Sequence, residues 1–182
     1  MPSNQEQDIL RRLRIPAEKS KAFDELVLFY QRQVYYYIRK IVLDHEDAND
    51  ISQNVFIKAW KAIDKFREDS KLSTWLYRIA TNESITFINK RKKLAGIPFE
   101  EIEDQLPSFL ENDPLYDGDE IQRRLQAAIA CLPEKQKLVF ILKYKENKKY
   151  EEIAQITGTS EGALKASYHH AVKKIESLVV KL

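Results

Sequence analysis

An all-α fold, two small helical domains joined by an acidic linker, follows from three observations. The 182-residue chain is 43% hydrophobic and 32% charged, with only 4 Gly and 6 Pro, a helix-rich balance. Its apolar residues recur three and four apart, the period of one helical face. Its charge is segregated. Residues 1–93 hold 18 Lys/Arg and 13 Asp/Glu, residues 94–120 hold none and 9, and residues 121–182 hold 12 and 6. Net charge is only +2, but two basic ends around an acidic middle point to a polyanionic partner.

The first expected helix is Lys19 to Val42. Phe23, Leu26, Val27, Tyr30, Val34, Tyr37, Ile38 and Ile41 form one stripe along it. "LDHEDANDISQNVFIKAWKAIDKF" follows, with Ile51, Val55, Ala59, Ala62 and Phe66 facing inward. Asp44, Glu46 and Asp47 crowd its start, where they complement the helix dipole. After the polar break "REDSKLS", a third helix is expected from about Thr74 to Arg91, capped by Ser73 or Thr74. Taking Leu76, Ile79, Ala80, Glu83 and Phe87 as its inward side puts Arg78, Asn82, Ile85 and Asn89 outward, with Glu83 the poor fit. "KRKK", Lys90 to Lys93, ends this helix in four positive charges.

Residues 94–120 contain three of the prolines, two of the glycines and nine acids, a linker composition. Extended, the segment reaches at most roughly 90 Å; as a coil it averages about 30 Å. Ile121–Leu132 is the next helix, stopped by Pro133, and "EKQKLVFILKYKE" the one after. Cys131, in "IACLP", is the single cysteine; it excludes an internal disulfide and reads as a buried small hydrophobe. The N-terminus has no signal-peptide core. The run "LVFIL" is too short to span a bilayer, so a cytoplasmic protein with no membrane insertion is expected.

"YEEIAQITGTSEGALKASYHHAVKKI", Tyr150 to Ile175, has the outline of a helix-turn-helix. Ala154 is small where a second helix crosses. Gly158 suits a left-handed turn residue, and Ser160 is a good cap. Leu164, Tyr168, Ala171, Val172 and Ile175 fall on one side, facing Ile153 and Ile156. A plain helical hairpin is the competing reading. Rotation by 100° per residue places Gly162, Ala166, His169 and Lys173 outward, flanked by Lys165, His170 and Lys174. Gly162 and Ala166 keep that surface low for close approach to a groove. Lys165 and Lys173 suit phosphates or guanine acceptors. His169 and His170 point about 100° apart with no carboxylate one turn away, and His45 lies in the other domain. No metal site, cofactor or catalytic residue is therefore expected, and the pair reads as part of a DNA-facing surface.

Two segments carry a specific resemblance. "DANDISQNVFIKAWKAIDKFREDSKLSTWLYRIATNESITFINKRKK" resembles region 2 of a bacterial sigma factor. "LPEKQKLVFILKYKENKKYEEIAQITGTSEGALKASYHHAVKKIESL" resembles region 4. Together they are similar to the extracytoplasmic-function (ECF) group of the sigma-70 family. The resemblance implies region 2 over 1–93, a connector over 94–120 and region 4 over 121–182. It implies a protein that binds core RNA polymerase and recognises and opens promoter DNA in transcription initiation, with an anti-sigma factor as a further partner and no enzyme activity.

Asp50, Gln53, Asn54, Phe56, Ile57 and Trp60 match the family's polymerase-binding helix, where an acid is usual at the place of Asn54; burial is the alternative for the three apolar ones. Arg78, Asn82, Asn89, Lys90 and Arg91 would handle the separated minus-ten strand, Asn82 and the loop Phe66–Thr74 capturing an extruded base. Lys165, Ala166, Ser167, His169, His170 and Lys173 would meet the minus-thirty-five element, where arginine is common at the places of Ser167 and His170. The acidic connector would mimic the charge of RNA on its way through the polymerase. The competing function is a helix-turn-helix transcriptional regulator that is not a sigma subunit; residues 1–93 show no sensor-domain pattern to favour it. A tyrosine recombinase or nuclease would need clustered Arg/His or carboxylates, which the sequence lacks.

Overall fold

The computed structural model describes residues 4–95 and 120–179. The expected linker at 94–120 lies almost wholly outside them, as does its charge mimicry. The chain divides into two compact units: Met1–Asn89 with Gln155–Thr157, and Lys90–Ala154 with Gly158–Leu182. Among the described residues every regular element is a helix, and no helix is long and apolar enough to cross a membrane.

The first unit begins with α1, Asn4–Leu13, an element the apolar stripes above did not include. Ile9 and Leu13 bury its inner edge. Arg12 reaches Asp8 at 2.7 Å and also pairs with Glu25 of α2, Lys19–Val42. Arg12 holds the Glu25 carboxyl below its ordinary value, and Arg11, then Arg12, do the same for Asp8. Burial pushes the Tyr30 phenol up, and its bond to Glu6 adds to the shift. Of the α2 stripe, Phe23, Leu26, Tyr30, Val34, Tyr37, Ile38 and Ile41 are buried, while Val27 is half-buried.

Helix α3, His45–Ala62, starts as its acids require: the Asp44 carboxylate accepts from Asp47 N–H at 2.9 Å. Ala48, Ile51, Val55 and Ala59 pack inward, and a short 3-10 turn, Ile63–Lys65, follows. Ala62 and Phe66, expected inward, are only half-buried.

Helix α4, Leu72–Ala95, is longer at both ends than expected. Ser73 and Thr74 are not caps but lie inside its first turn, which closes from Trp75 N–H to Lys71 C=O at 3.1 Å. Thr74 is buried. The inward side is also rotated by about one residue. Leu72, Leu76, Tyr77, Ala80, Thr81 and Ser84 are buried; Ile79 and Phe87 only flank them. The cause is polar: Tyr37 Oη meets Thr81 Oγ1 at 2.7 Å, and Thr81 in turn donates to Tyr77 C=O. A buried tyrosine needs such a partner, and an apolar stripe cannot reveal it. Glu83, the misfit of the expected stripe, is half-buried and bonded by Lys58 of α3 at 2.6 Å.

The second unit holds α5, Glu120–Ala130, and α6, Glu134–Phe140, whose axis continues as one π-turn, Ile141–Lys145. Leu132, Leu138, Val139, Phe140, Ile141 and Leu142 are buried. Cys131 is half-buried rather than buried. Helices α7, Tyr150–Thr157, and α8, Glu161–Val179, complete the fold.

Candidate nucleic-acid and protein interfaces

The turn between α7 and α8 has the geometry the sequence requires. Gly158 has φ +68°, and its N–H donates to Ala154 C=O at 2.8 Å. A side chain there would strain the backbone, although no neighbouring atom stands in its way. Ser160 Oγ accepts from Ala163 N–H at 3.5 Å, a long cap, and Leu164 N–H closes the first turn on Ser160 C=O. Ile153, Ile156, Leu164, Ala171 and Ile175 are buried.

The opposite face of α8 is open. Gly162, Lys165, Ala166, His169, His170 and Lys173 are all exposed, while Ser167 and Lys174 are half-buried. The two imidazoles lie side by side, ring centres 6.1 Å apart. Among the described residues no three His, Cys, Asp or Glu side chains converge on a metal site. Lys165 sits 3.7 Å from Glu161 and 5.6 Å over the Tyr150 ring.

Beside this face lies a group the sequence argument did not single out. Tyr168 stacks on Phe140 at 5.9 Å and meets Tyr150 edge-on, while Lys143 stands 5.0 Å over Tyr150. Burial pushes the Tyr150 hydroxyl up. The π-turn turns Tyr144 outward, 56% exposed, with Lys145 over its ring. The signal was the basic-aromatic run "KYKENKKY"; a π-turn, common at functional sites, cannot be read from it.

In the first unit, α3 presents one continuous outer face opposite Ile51, Val55 and Ala59. Asp50, Gln53, Asn54, Ile57 and Trp60 are exposed along it, and Phe56 is half-buried. Ile57 and Trp60 are large apolar side chains left 52% and 40% exposed on this face. Trp60 packs edge-on against Phe23 at 4.9 Å, under the Lys19 ammonium at 5.0 Å, and Lys19 bonds Asp64 at 2.7 Å.

On α4, Arg78, Asn82, Asn89, Lys90 and Arg91 are exposed, and Ile85 is half-buried. The loop leading into α4 is fixed by Phe66, whose ring lies 5.3 Å from Trp75. Glu68 within it has φ +60° and pairs with Arg14.

Comparison with known proteins gives the chain's relatives. The Sigma-70 region 2 family model matches residues 26–94, and the Sigma-70, region 4 model matches residues 122–175. The RNA polymerase sigma-H factor of Pseudomonas aeruginosa is 31% identical, over 98% of this chain and 96% of its own length. The ECF RNA polymerase sigma factor SigW of Bacillus subtilis is 32% identical, over 81% and 83%. Among solved structures, the sigma factor RpoE in complex with the anti-sigma factor NepR from Bartonella quintana superposes with a TM-score of 0.68 at 25% identity, covering 89% of this chain and 98% of that one.

Proposed function

The chain belongs to the sigma-70 family, in its ECF group, and from that premise we propose how its surfaces divide the work of initiation. It is an ECF-type sigma factor: it binds core RNA polymerase and directs promoter recognition and opening. Three outward helix faces carry out these tasks. The α3 face, Asp50, Gln53, Asn54, Phe56, Ile57 and Trp60, docks on polymerase. Its rim is polar around two exposed apolar anchors, the pattern of a protein interface rather than a nucleic-acid one.

The α4 face, Arg78, Asn82, Asn89, Lys90 and Arg91, handles the separated minus-ten strand. Arg78, Lys90 and Arg91 offset phosphate charge, and the Asn82 amide reads a base edge. Extruding one base costs only a few kcal/mol, well within what several such contacts return. The α8 face, Lys165, Ala166, Ser167, His169, His170 and Lys173, enters the major groove of the minus-thirty-five element. Ser167 and His170 stand where arginine is common in the family, so this face reads bases with fewer guanidinium donors.

On this reading residues 1–93 form the polymerase and minus-ten domain, 94–120 the connector and 121–182 the minus-thirty-five domain. The protein is non-catalytic in its own right and works in the cytoplasm. By its likeness to the Bartonella sigma factor in complex with NepR, it also takes an anti-sigma partner.

The observation that carries the reading is the exposed Ile57–Trp60 pair on α3. A helix-turn-helix regulator acting alone has no use for an apolar polymerase-docking face. The test is reconstitution with purified core polymerase on a promoter library. Promoter-specific transcripts that depend on the added chain are the expected result. Tight sequence-specific DNA binding by the chain alone, without any transcript, would favour the regulator instead.

A further inference from the structure

We propose that Arg14 and Glu68 form a latch by which the N-terminal helix α1 positions the loop that receives the extruded minus-ten base. The inference rests on the α4 face and its preceding loop being the strand-handling surface. Glu68 stands in that loop with φ +60°, a conformation costly for any residue with a Cβ. Such strain persists only where the surroundings over-determine it. Here the surroundings include Arg14, paired with Glu68 from 54 residues away in sequence.

The backbone at Arg14 is held in place, while its side chain is largely exposed. The Arg14 N–H closes a turn on Arg11 C=O at 3.3 Å, and Ile15 N–H closes another on Arg12 C=O at 3.0 Å. Arg12 pairs with Glu25, and Ile9 and Leu13 are buried, so the end of α1 is tied down on α2. On the loop side, Phe66 N–H donates to Ile63 C=O at 3.1 Å and its ring packs near Trp75 of α4. The loop is therefore held at both Phe66 and Glu68. Between these supports lies a cavity of about 230 Å³ lined by Leu10, Leu13, Arg14, Ile63, Phe66 and Glu68, among others. This space is open to solvent, so the ion pair adds a restraint on Glu68 that packing at that point does not supply. An exposed ion pair contributes little to global stability; its effect is on loop geometry.

Arg14 and Glu68 are thus positioning residues, and a double-mutant cycle tests them. The full chain carrying R14A, E68G, R14A/E68G, the charge swap R14E/E68R or N82A is bound to core polymerase. Permanganate reactivity of unpaired thymines reports opening, and a separate binding assay reports affinity for the core enzyme. R14A is expected to lower opening about fivefold or more at unchanged core affinity. Glycine at 68 removes the strain, so R14A has no further effect in the E68G background. The charge swap restores at least half of the lost opening. R14A also weakens discrimination among bases at the extruded position, which a merely destabilised fold would not do. Normal opening with R14A, or an equal loss in the E68G background, would overturn the latch. The N82A arm separates the two ideas: if N82A opens promoters normally, the strand-handling reading itself fails, whereas a defect in N82A with a normal R14A sinks only the latch.

Discussion

Replacing Gly162 with alanine should make the protein more stable and a poorer promoter reader at once. Gly162 is the second residue of α8 and is exposed. A Cβ built there meets no atom within 4 Å, so the fold has room for the methyl. Glycine in a helix costs about 0.5–1 kcal/mol relative to alanine. That figure holds for a helix interior, so at the second position of α8 G162A should raise the free energy of unfolding in urea by at most about 0.5–1 kcal/mol. Against DNA the balance reverses. The methyl projects from the face that carries Ala166 and His169, where the helix backbone must come closest to the groove. Overpacking a close contact costs about 1–3 kcal/mol, or roughly five- to a hundredfold in use of the upstream element. The assay pairs urea denaturation with transcription from promoters that keep or lack that element. A loss of stability would show that Gly162 answers a structural need. Higher stability with unchanged upstream-element use would refute close approach at this position.

Three further outcomes are expected. I57A should weaken core-polymerase binding by about 1–2 kcal/mol while changing unfolding by no more than about 0.5 kcal/mol, because Ile57 is half exposed; unchanged core affinity would remove it from the docking face. H169A or H170A should cut transcription that depends on the upstream element by about fivefold, about 1 kcal/mol of lost contact, with core binding intact; equal loss on promoters lacking that element would contradict the assignment. Asp8 and Glu25 have carboxyls held below their ordinary values by the α1 arginines. Such groups contribute stability that is complete above the unfolded value near 4 and is lost as pH falls through the folded value. Protection factors in α1, taken relative to intrinsic exchange, should accordingly fall below about pH 4 ahead of those in α2, and uniform protection down to about pH 3 would count against the pairs as its anchor.

Much of the architecture was legible because it rests on local rules. The α2 bounds follow from one long apolar stripe between a polar start and Val42. Asp44 announces the α3 cap, and Gly158 the α7–α8 turn. These signals act within one or two helical turns, so they survive without tertiary context. The outward directions of α3 and α8 were legible for the same reason, since once one side is buried the other is set by 3.6 residues per turn; on α3 the sequence left burial of Phe56, Ile57 and Trp60 open.

What was not legible depends on distant pairs. The rotation of α4 needed Tyr37 and Thr81, 44 positions apart, to find each other. Glu83 seemed misplaced until Lys58 supplied its charge partner. Arg14 and Glu68 give no hint in sequence that they meet, nor does Glu68 announce its left-handed backbone. By itself, then, the chain's sequence determined most of its helices, the main buried stripes of α2, α3 and α8, and its family. The tertiary structure alone decided the rotation of α4, the exposure of Ile57 and Trp60, and the bracing of the Glu68 loop. The physical reason is that periodicity and capping are properties of neighbours along the chain. Polar pairing and residual exposure are properties of whatever the fold brings alongside.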